Sequence, residues 1–393
     1  MKNSNVHYLL QSFRREAGRI LGDRVYLFTG LLGPLAAFAL VILIFSANVP
    51  RKLPVSVVDC DHTSLSRKII RMVDATPIAR TNTRYTSTVE ARQALNAGET
   101  EAVVVIPAGT EREVIRGREA RVAVYLNNVY LIKAGLLKSG IQKALATVSA
   151  GIRQQNRLMS GESRQQAMGR IQAIQLTPVL LFNPYTSYEY YLTLLILPVL
   201  LTVFILFGSI YSLGTELQYG SGPGWLEAAG GNIFIALSGK FLPHTVCFTG
   251  MALVMDLFFF QVLGLPLNGH FALILVSEIL MILSYQSMAV FIVTLTRNLR
   301  LALSLASAYT MLAITYAGLT YPGFGMPPLA QLFSKIFPFT YWLDHFIGQT
   351  LRGEPVSLAI VTLLPLFIFL AAGLSMLPLL KHELQHEKFW YKI

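Results

Sequence analysis

Charged side chains are scarce in this sequence. Asp, Glu, Lys and Arg supply 13% of its 393 residues, whereas a soluble domain carries about 25%. Hydrophobic residues supply 53%, and several apolar runs exceed the ~18 residues that mark a membrane span. The composition therefore excludes a soluble protein and predicts an integral membrane protein.

Cysteine is almost missing, since Cys60 and Cys247 are the two in the chain. Cys60 lies in a polar region and Cys247 within an apolar run, so we expect no disulfide between them. No histidine cluster accompanies them, which argues against a zinc site. His382 and His386 lie one helical turn apart, but two histidines alone are a weak metal signal. We therefore predict no metal site.

The sequence also lacks a G-x-x-x-x-G-K-[ST] phosphate-binding loop. The nearest candidate, residues 238–241, has neither the first glycine nor the final hydroxyl residue. We therefore predict no ATPase site and no bound cofactor on this chain. Active transport would then require a partner subunit or an ion gradient as its energy source.

Six apolar runs predict six membrane helices, at residues 25–46, 190–214, 241–263, 271–296, 301–320 and 356–380. Residues 1–24 have helical spacing and basic charge, which predicts a helix on the bilayer surface. The first apolar run is too long for the core of a cleaved signal peptide, so we expect a retained helix.

Charge asymmetry predicts the orientation. On one side of the membrane the segments hold 11 Lys and Arg, and on the other the short loops hold only Lys335 and Arg352. The positive-inside rule therefore places both termini, including the tail 381–393, in the cytoplasm. The net charge of +11 follows from this topology and one basic insert, so we predict membrane lipid and no nucleic acid as a partner.

Residues 47–188 form that insert, with 19 Lys and Arg, 10 Asp and Glu, and no run of membrane length. Strands alternate with helices, which predicts an α/β domain on the extracytoplasmic side. The predicted strands are 53–59, 101–107 and 121–127, and the helices are 64–74, 88–97 and a long amphipathic one around 137–152. Asp59 and Asp61 would suit a metal, but carboxylates between a strand and Thr63 are more often turn and cap residues.

Residues 321–354 interrupt the apolar runs with prolines, glycines and aromatic side chains. Proline ends helices, and aromatic rings suit the membrane–water interface. Non-helical backbone at this depth requires protein or water to satisfy its polar groups. We therefore predict a re-entrant outer segment that closes a cavity or gate.

Four separated elements in residues 318–353, namely G-L-T-Y-P, M-P, F-P-F-T-Y and L-R-G, occur in the order found in type-2 ABC (ATP-binding cassette) exporters. The chain resembles the membrane subunit of that family, and V-V-D-x-D-x-T-S-L-S-R at 57–67 resembles the start of its ectodomain. The resemblance implies an α-helical integral membrane protein with six transmembrane helices and an α/β extracytoplasmic domain inserted between helices 1 and 2.

The resemblance also implies a function and partners. The chain would be the permease subunit of a dimer, paired with a second copy or a paralogue in the cytoplasmic (inner) membrane of a bacterium. Cytoplasmic ATPase subunits would bind ATP and Mg and drive export of a drug, lipid or other amphiphile. A periplasmic adaptor protein is a further partner that the family permits.

The family's sites are carried over by position. The cytoplasmic loop 215–240 would couple to the ATPase through Glu216, Trp225, Leu226, Glu227, Gly239 and Lys240. The outer gate would comprise Pro322, Gly323, Met326, Pro327, Pro328, Pro338, Thr340 and Tyr341. On the fifth helix a face of mostly small residues would line the pathway or the dimer contact, comprising Ser304, Ser307, Met311, Thr315 and Gly318.

Asp256 and Glu278 lie within the third and fourth apolar runs. Intramembrane carboxylates are costly and are usually functional or internally paired. They could relay protons or attract a cationic substrate, but bonding within the helix bundle is the interpretation we favour. For the whole chain, the alternative to an exporter is a membrane-anchored receptor or secretion-apparatus component whose insert binds an extracellular partner.

Overall fold

The structure is a computed structural model, and it describes residues 2–45, 51–159, 188–318 and 321–391. Two compact units divide the chain. The first combines Met1–Asn48 with Leu181–Ile393, and the second is Val49–Leu180. The predicted end of the first membrane helix at 46, the predicted end of the fifth at 320 and residues 160–187 of the insert lie outside the described residues.

The first unit contains six helices that are long and apolar enough to cross a membrane, among the residues described. We number helices in chain order, and these six are α2 (Arg24–Phe45), α7 (Tyr188–Gln218), α9 (Ile233–Val262), α10 (Phe271–Thr296), α11 (Leu299–Tyr316) and α14 (Val356–Gln385). Together with a small sheet in the insert, they confirm the predicted fold class. The α-helical hydrogen bonding of the sixth span is interrupted at Pro365 and at Met376.

Helix α10 is the centre of this unit, with α7, α9 and α14 packed around it. Two of its serines bond to backbone carbonyls of α14: Ser284 Oγ lies 3.2 Å from the Leu366 oxygen, and Ser287 Oγ lies 3.0 Å from the Leu370 oxygen. Small residues at the crossing let the helices approach closely. The α10–α14 contact therefore forms part of the fixed core.

Two further helices of the first unit accompany the spans. The surface helix α1 covers Lys2–Gly22, and the loop helix α8 covers Gly222–Ala228. Helix α9 begins at Ile233, eight residues earlier than predicted, because Asn232 caps it by accepting hydrogen bonds from the amides of Phe234 and Ile235. The predicted loop 215–240 therefore contains the ends of two membrane helices with α8 between them.

The outer segment is more regular than its prolines suggested. A 3-10 turn at Gly323–Gly325 leads into α12 (Pro328–Ser334), and α13 (Pro338–Ile347) continues as a π turn at Gly348–Arg352. Pro328 and Pro338 begin their helices, where a missing amide hydrogen costs nothing. The prolines thus set where the helices start.

The second unit is built on a four-stranded sheet in the order β2-β1-β3-β4. Its strands are β1 (Leu53–Asp59), β2 (Ala79–Asn82), β3 (Ala102–Ile106) and β4 (Ala123–Leu126), with only β4 antiparallel to its neighbour. Its helices are α3 (Ser64–Asp74), α4 (Thr88–Asn96), α5 (Thr110–Ile115) and α6 (Leu131–Met159). The sequence analysis missed β2 and α5, which are too short to show a period.

Asp59 and Asp61 act as turn and cap residues. Asp59 accepts hydrogen bonds from the amides of Asp61 and His62 and from Ser66 Oγ. Asp61 accepts from Thr63 Oγ and from the amides of Gly109 and Glu111. These bonds tie the end of β1 to the starts of α3 and α5.

Candidate functional site

Helix α1 lies directly on the start of α9. A Cβ atom on Gly239 would sit 2.5 Å from the Cβ of Ser12, so only glycine permits this approach. Ser12 Oγ donates to the Ala236 carbonyl at 3.1 Å. Residue 239, which the resemblance assigned to ATPase coupling, is therefore a packing position between two elements of this chain.

Charged side chains of three helices meet beneath this contact. We call them the ionic cluster, and they are Arg15, Glu16 and Arg19 of α1, Glu216 of α7 and Lys240 of α9. Lys240 Nζ lies 2.7 Å from Glu16 Oε2 and 2.9 Å from Glu216 Oε1. Both acids and the lysine are buried, so the lysine charge is neutralised inside the protein.

The arginines close the cluster from the side of α1. Arg15 makes a bidentate contact with Glu216, at 2.7 Å and 3.1 Å, and Arg19 bonds to the same carboxylate. Arg19 also donates to Thr215 Oγ at 3.1 Å. Bidentate pairs fix geometry as well as charge, so α1 has one position against α7 and α9.

Hydrogen bonds complete the shell of Glu16. Ser212 Oγ donates to Glu16 Oε1 at 2.7 Å, and His244 Nε2 lies 3.1 Å from the same oxygen. Burial alone would raise the pKa of Glu16. The Lys240 charge and the His244 hydrogen bond outweigh burial and hold that pKa far below its usual range.

Helix α8 turns two of the predicted coupling residues inward. Trp225 is 1% exposed and Leu226 is 3% exposed. The indole ring of Trp225 lies under Lys240 Nζ at 4.8 Å from its centroid, and its Nε1 is 3.4 Å from Ser12 Oγ. In this arrangement they support the loop from inside and do not face another protein.

The opposite side of α8 is exposed. It presents Pro223, Gly224 and Glu227, and Tyr219 lies exposed just before it. Of the six predicted coupling residues, Glu227 is therefore the one on the surface. The other five lie inside the chain, and ATPase coupling remains a prediction for the exposed face.

The predicted outer-gate residues fall into two groups. Pro322, Gly323, Pro327 and Pro328 are exposed, and next to them Phe324 is 92% exposed. Pro338 and Met326 are buried, while Thr340 and Tyr341 are half-buried and bond to the carbonyls of Ser334 at 3.0 Å and Lys335 at 3.2 Å. The second group anchors the segment, and the first projects from it.

Aromatic rings hold the outer segment on α11. Tyr309 Oη donates to the Ile336 carbonyl at 2.7 Å, and its ring lies 5.1 Å from that of Phe337. Tyr316 packs edge-on against Phe333 at 4.9 Å. The end of α11 and the segment above it therefore form one packed block.

The face of α11 proposed as pathway or dimer contact points away from the core of this chain. Ser304, Ser307, Met311 and Thr315 are exposed. Gly318, with φ of +88°, follows the helix in a conformation that favours glycine. Burial is confined to the other side of the helix, at Ala302, Ala306, Thr310 and Ala313.

Asp256 of α9 and Glu278 of α10 are brought together. Both are buried, and their carboxyl groups interact with each other. Among the described residues, none donates a hydrogen bond to any of their four oxygens. Two carboxylates brought together in this way repel each other when both are charged.

Sequence reasoning missed the roles of Arg15, Glu16, Arg19 and His244. It treated α1 as an amphipathic surface helix and so expected its charges to face solvent. One signal was present: a single acid, Glu16, flanked by arginines one residue before it and three residues after it. That pattern is typical of a paired acid rather than a plain basic face.

These features define a multi-pass membrane protein with a small α/β insert after its first span. Residues 24–377 match the model of the family described as ABC-2 family transporter protein, and the chain belongs to that family. This confirms the resemblance to type-2 ABC permeases, which are membrane subunits of transporters. No curated protein and no solved structure matches the chain.

Proposed function

We propose that the chain is the permease subunit of an ATP-driven exporter. Two such subunits, identical or paralogous, would move a drug, lipid or other amphiphile out of the cytoplasm or inner membrane of a bacterium. Separate ATPase subunits would bind ATP and Mg and supply the energy. Family membership supports the transport role, and the absence of a phosphate-binding loop from the sequence supports the separate ATPase.

The observation that carries the proposal is the way α8 is held. The ionic cluster and the buried Trp225 fix it against α1, α7 and α9, and its other face stays open. A helix that is held rigidly on one side can transmit the movement of a protein bound to its exposed face to the membrane helices. We assign ATPase docking to Pro223, Gly224 and Glu227.

The test reverses the charge of Glu227. Glu227→Arg should lower the amount of ABC ATPase that co-purifies with the permease, and lower export, while the thermal unfolding temperature stays unchanged. Glu387→Arg, an equally exposed acid near the end of the chain, is the matched control. Mass spectrometry of the purified complex and its rate of ATP hydrolysis provide the readouts.

Two results would contradict the proposal. The first is a wild-type preparation that never contains an ABC ATPase, which would favour the receptor or secretion-component alternative. The second is a Glu227→Arg variant with full coupling and full export. That result would leave the exporter in place but remove α8 as its docking helix.

The partners on the other side of the membrane follow from the proposed orientation. With both termini in the cytoplasm, the insert faces outward and presents a basic surface, with 17 Lys and Arg against 9 Asp and Glu in residues 51–159. An adaptor that binds there would need an acidic surface. The outer segment and the exposed face of α11 would then form the gate and the dimer contact.

A further inference from the structure

A groove of about 500 Å³ runs between α9, α10 and α14 in the membrane unit. Its walls are mainly apolar, with Phe241 and Leu242 on one side and Leu283 and Leu374 on the others. This volume lies within the range of small-molecule sites. The groove shares no residue with the ionic cluster, the outer segment or the exposed face of α11, so it is a separate feature.

The floor of the groove is fixed by the α10–α14 crossing. A Cβ atom on Gly373 would overlap Ser287 Oγ, and this hydroxyl donates to the Leu370 carbonyl at 3.0 Å. The two helices cannot come closer to fill the space between them and α9. The packing of α10 against α14 therefore keeps the groove open.

One polar side chain of the groove lacks a complete set of partners. Gln286 is 1% exposed and lines the groove. Thr245 Oγ lies 3.0 Å from both the Gln286 Oε1 atom and the Phe241 carbonyl, and a hydroxyl has one hydrogen to donate. The Gln286 amide nitrogen bonds to none of the described residues.

Exchanging the amide oxygen and nitrogen does not resolve this. The nitrogen would then donate to Thr245 Oγ, and Thr245 would donate to Phe241, but the oxygen of Gln286 would have no donor. Either orientation leaves one polar atom of the amide unsatisfied. Gln286 lies ten residues from the end of α10 at Thr296, ~15 Å along the helix, where bulk water does not reach it.

We propose that this groove binds an amphiphile dissolved in the membrane, with an apolar body along the walls and one hydroxyl, carbonyl or amide group bonded to Gln286. A phospholipid tail would fill the walls but offers the amide no polar atom, and phospholipid ester groups lie near the bilayer surface. The ligand therefore carries its hydrogen-bonding group at mid-membrane depth. This inference concerns binding alone and does not depend on export.

The experiment uses the full chain in nanodiscs and two photoactivatable probes. One is a long-chain secondary alcohol that carries a diazirine and has its hydroxyl at the middle of the chain, and the other is the corresponding alkane without the hydroxyl. Labelled peptides are identified by mass spectrometry. We expect both probes to label the groove segments of α9, α10 and α14, and the alcohol to do so on the order of tenfold more strongly, as one added hydrogen bond gives.

Three variants separate the contributions. Gln286→Leu should reduce labelling by the alcohol to that of the alkane and leave the alkane unchanged. Leu374→Trp fills the groove and should abolish labelling by both probes. Leu364→Trp, also an exposed leucine of α14 but outside the groove, should change neither.

Three outcomes overturn the inference. Labelling that avoids the groove, or that survives Leu374→Trp, means that no ligand site exists there. Equal labelling by alcohol and alkane, unaffected by Gln286→Leu, means that the amide does not select the ligand. Circular dichroism and size-exclusion profiles of each variant show whether a loss reflects misfolding, and Gln286→Asn is then the milder substitution to use.

Discussion

Glu16, Glu216 and Lys240 are buried where α1 crosses α7 and α9, and the half-buried Arg15 and Arg19 close around them. The cost of removing these charges from water opposes the attraction between them. Removing an ion from water costs several kcal/mol, which close contacts offset only when each charge keeps its partner. Lys240 faces two acids, and Glu216 receives both arginines. The cluster therefore contributes specificity of position more than net stability.

The first prediction removes the central cation. Lys240→Met should lower the free energy of unfolding by about 3–5 kcal/mol, because Glu16 then remains buried without its closest charge. Adding Glu16→Gln to that variant should recover part of the loss. Arg121→Met, which breaks an exposed pair at 3.8 Å, is the control and should change stability by less than about 1 kcal/mol. If the double variant is no more stable than Lys240→Met alone, Glu16 and Lys240 do not pair directly.

The second prediction concerns acid. The pKa of Glu16 in the folded protein lies below its unfolded value of about 4.3. The stability that the charged Glu16 contributes is therefore complete above about pH 4.3 and is lost as the pH falls towards the pKa of the folded state. The unfolding temperature of the wild type should be flat from about pH 8 to pH 5 and fall below about pH 4. The unfolding temperature of Glu16→Gln should fall less steeply over the same pH range. Equal slopes for the two proteins would show that Glu16 does not titrate with unfolding.

At the residue level the sequence predicted positions better than roles. Glu216, Gly239 and Lys240 were identified through the resemblance as one functional group, and the structure does bring them together. The charged partners of Glu216 and Lys240 on α1 are 197 residues or more away along the chain. No periodicity or spacing rule connects residues that far apart, so the sequence alone could not predict the ionic cluster.

At the scale of elements, the outer segment combines an anchored part with a projecting one. Helix α13 is buried in the bundle, whereas α12 and the preceding turn expose Phe324, Leu329 and Leu332. An exposed apolar surface of this kind is covered by lipid or by another protein. We propose that the second permease subunit covers this apolar surface and that the outer segment moves as a unit during gating.

The third prediction tests this gate. A disulfide between Phe324→Cys and its counterpart in the second subunit should block export and leave ATP binding by the partner intact, and a reducing agent should restore export. The variant Leu379→Cys, on an exposed site of α14, should not crosslink and serves as the control. Full export by a completely crosslinked dimer would show that the segment only seals the bilayer edge.

The elements themselves were largely predictable. Apolar length identified all six membrane helices that the described residues contain, because a span requires a long uninterrupted run. Boundaries were less accurate: α9 starts before its apolar run because Asn232 caps it. Strand β2, with the sequence A-R-T-N, has no alternation to recognise and exists because β1 offers it a partner edge.

At the scale of the whole molecule, orientation is the property on which the proposed function depends. Docking on α8 requires the loop between α7 and α9 to lie in the cytoplasm, and the charge count of 11 against 2 predicts this. The same orientation would place the insert outside, where we propose that its basic surface meets a partner protein.

The fourth prediction tests orientation directly. In a background with Cys60→Ser, a membrane-impermeant thiol reagent applied from outside should modify Arg84→Cys and should not modify Lys388→Cys, both of which are exposed positions. Permeabilised membranes provide the control, since both should then react. Modification of Lys388→Cys in intact cells would show that the topology is the opposite of the one proposed.

The long separation within the ionic cluster also bears on biosynthesis. Helix α1 is made before the helices that it contacts, and Lys240 is made 224 residues after Glu16. At typical synthesis rates that delay is roughly 10–45 s. During that time Glu16 lacks the lysine that neutralises it in the folded protein. We therefore expect α1 to take its final position only after α9 has been made, because the buried Glu16 needs Lys240 as its partner.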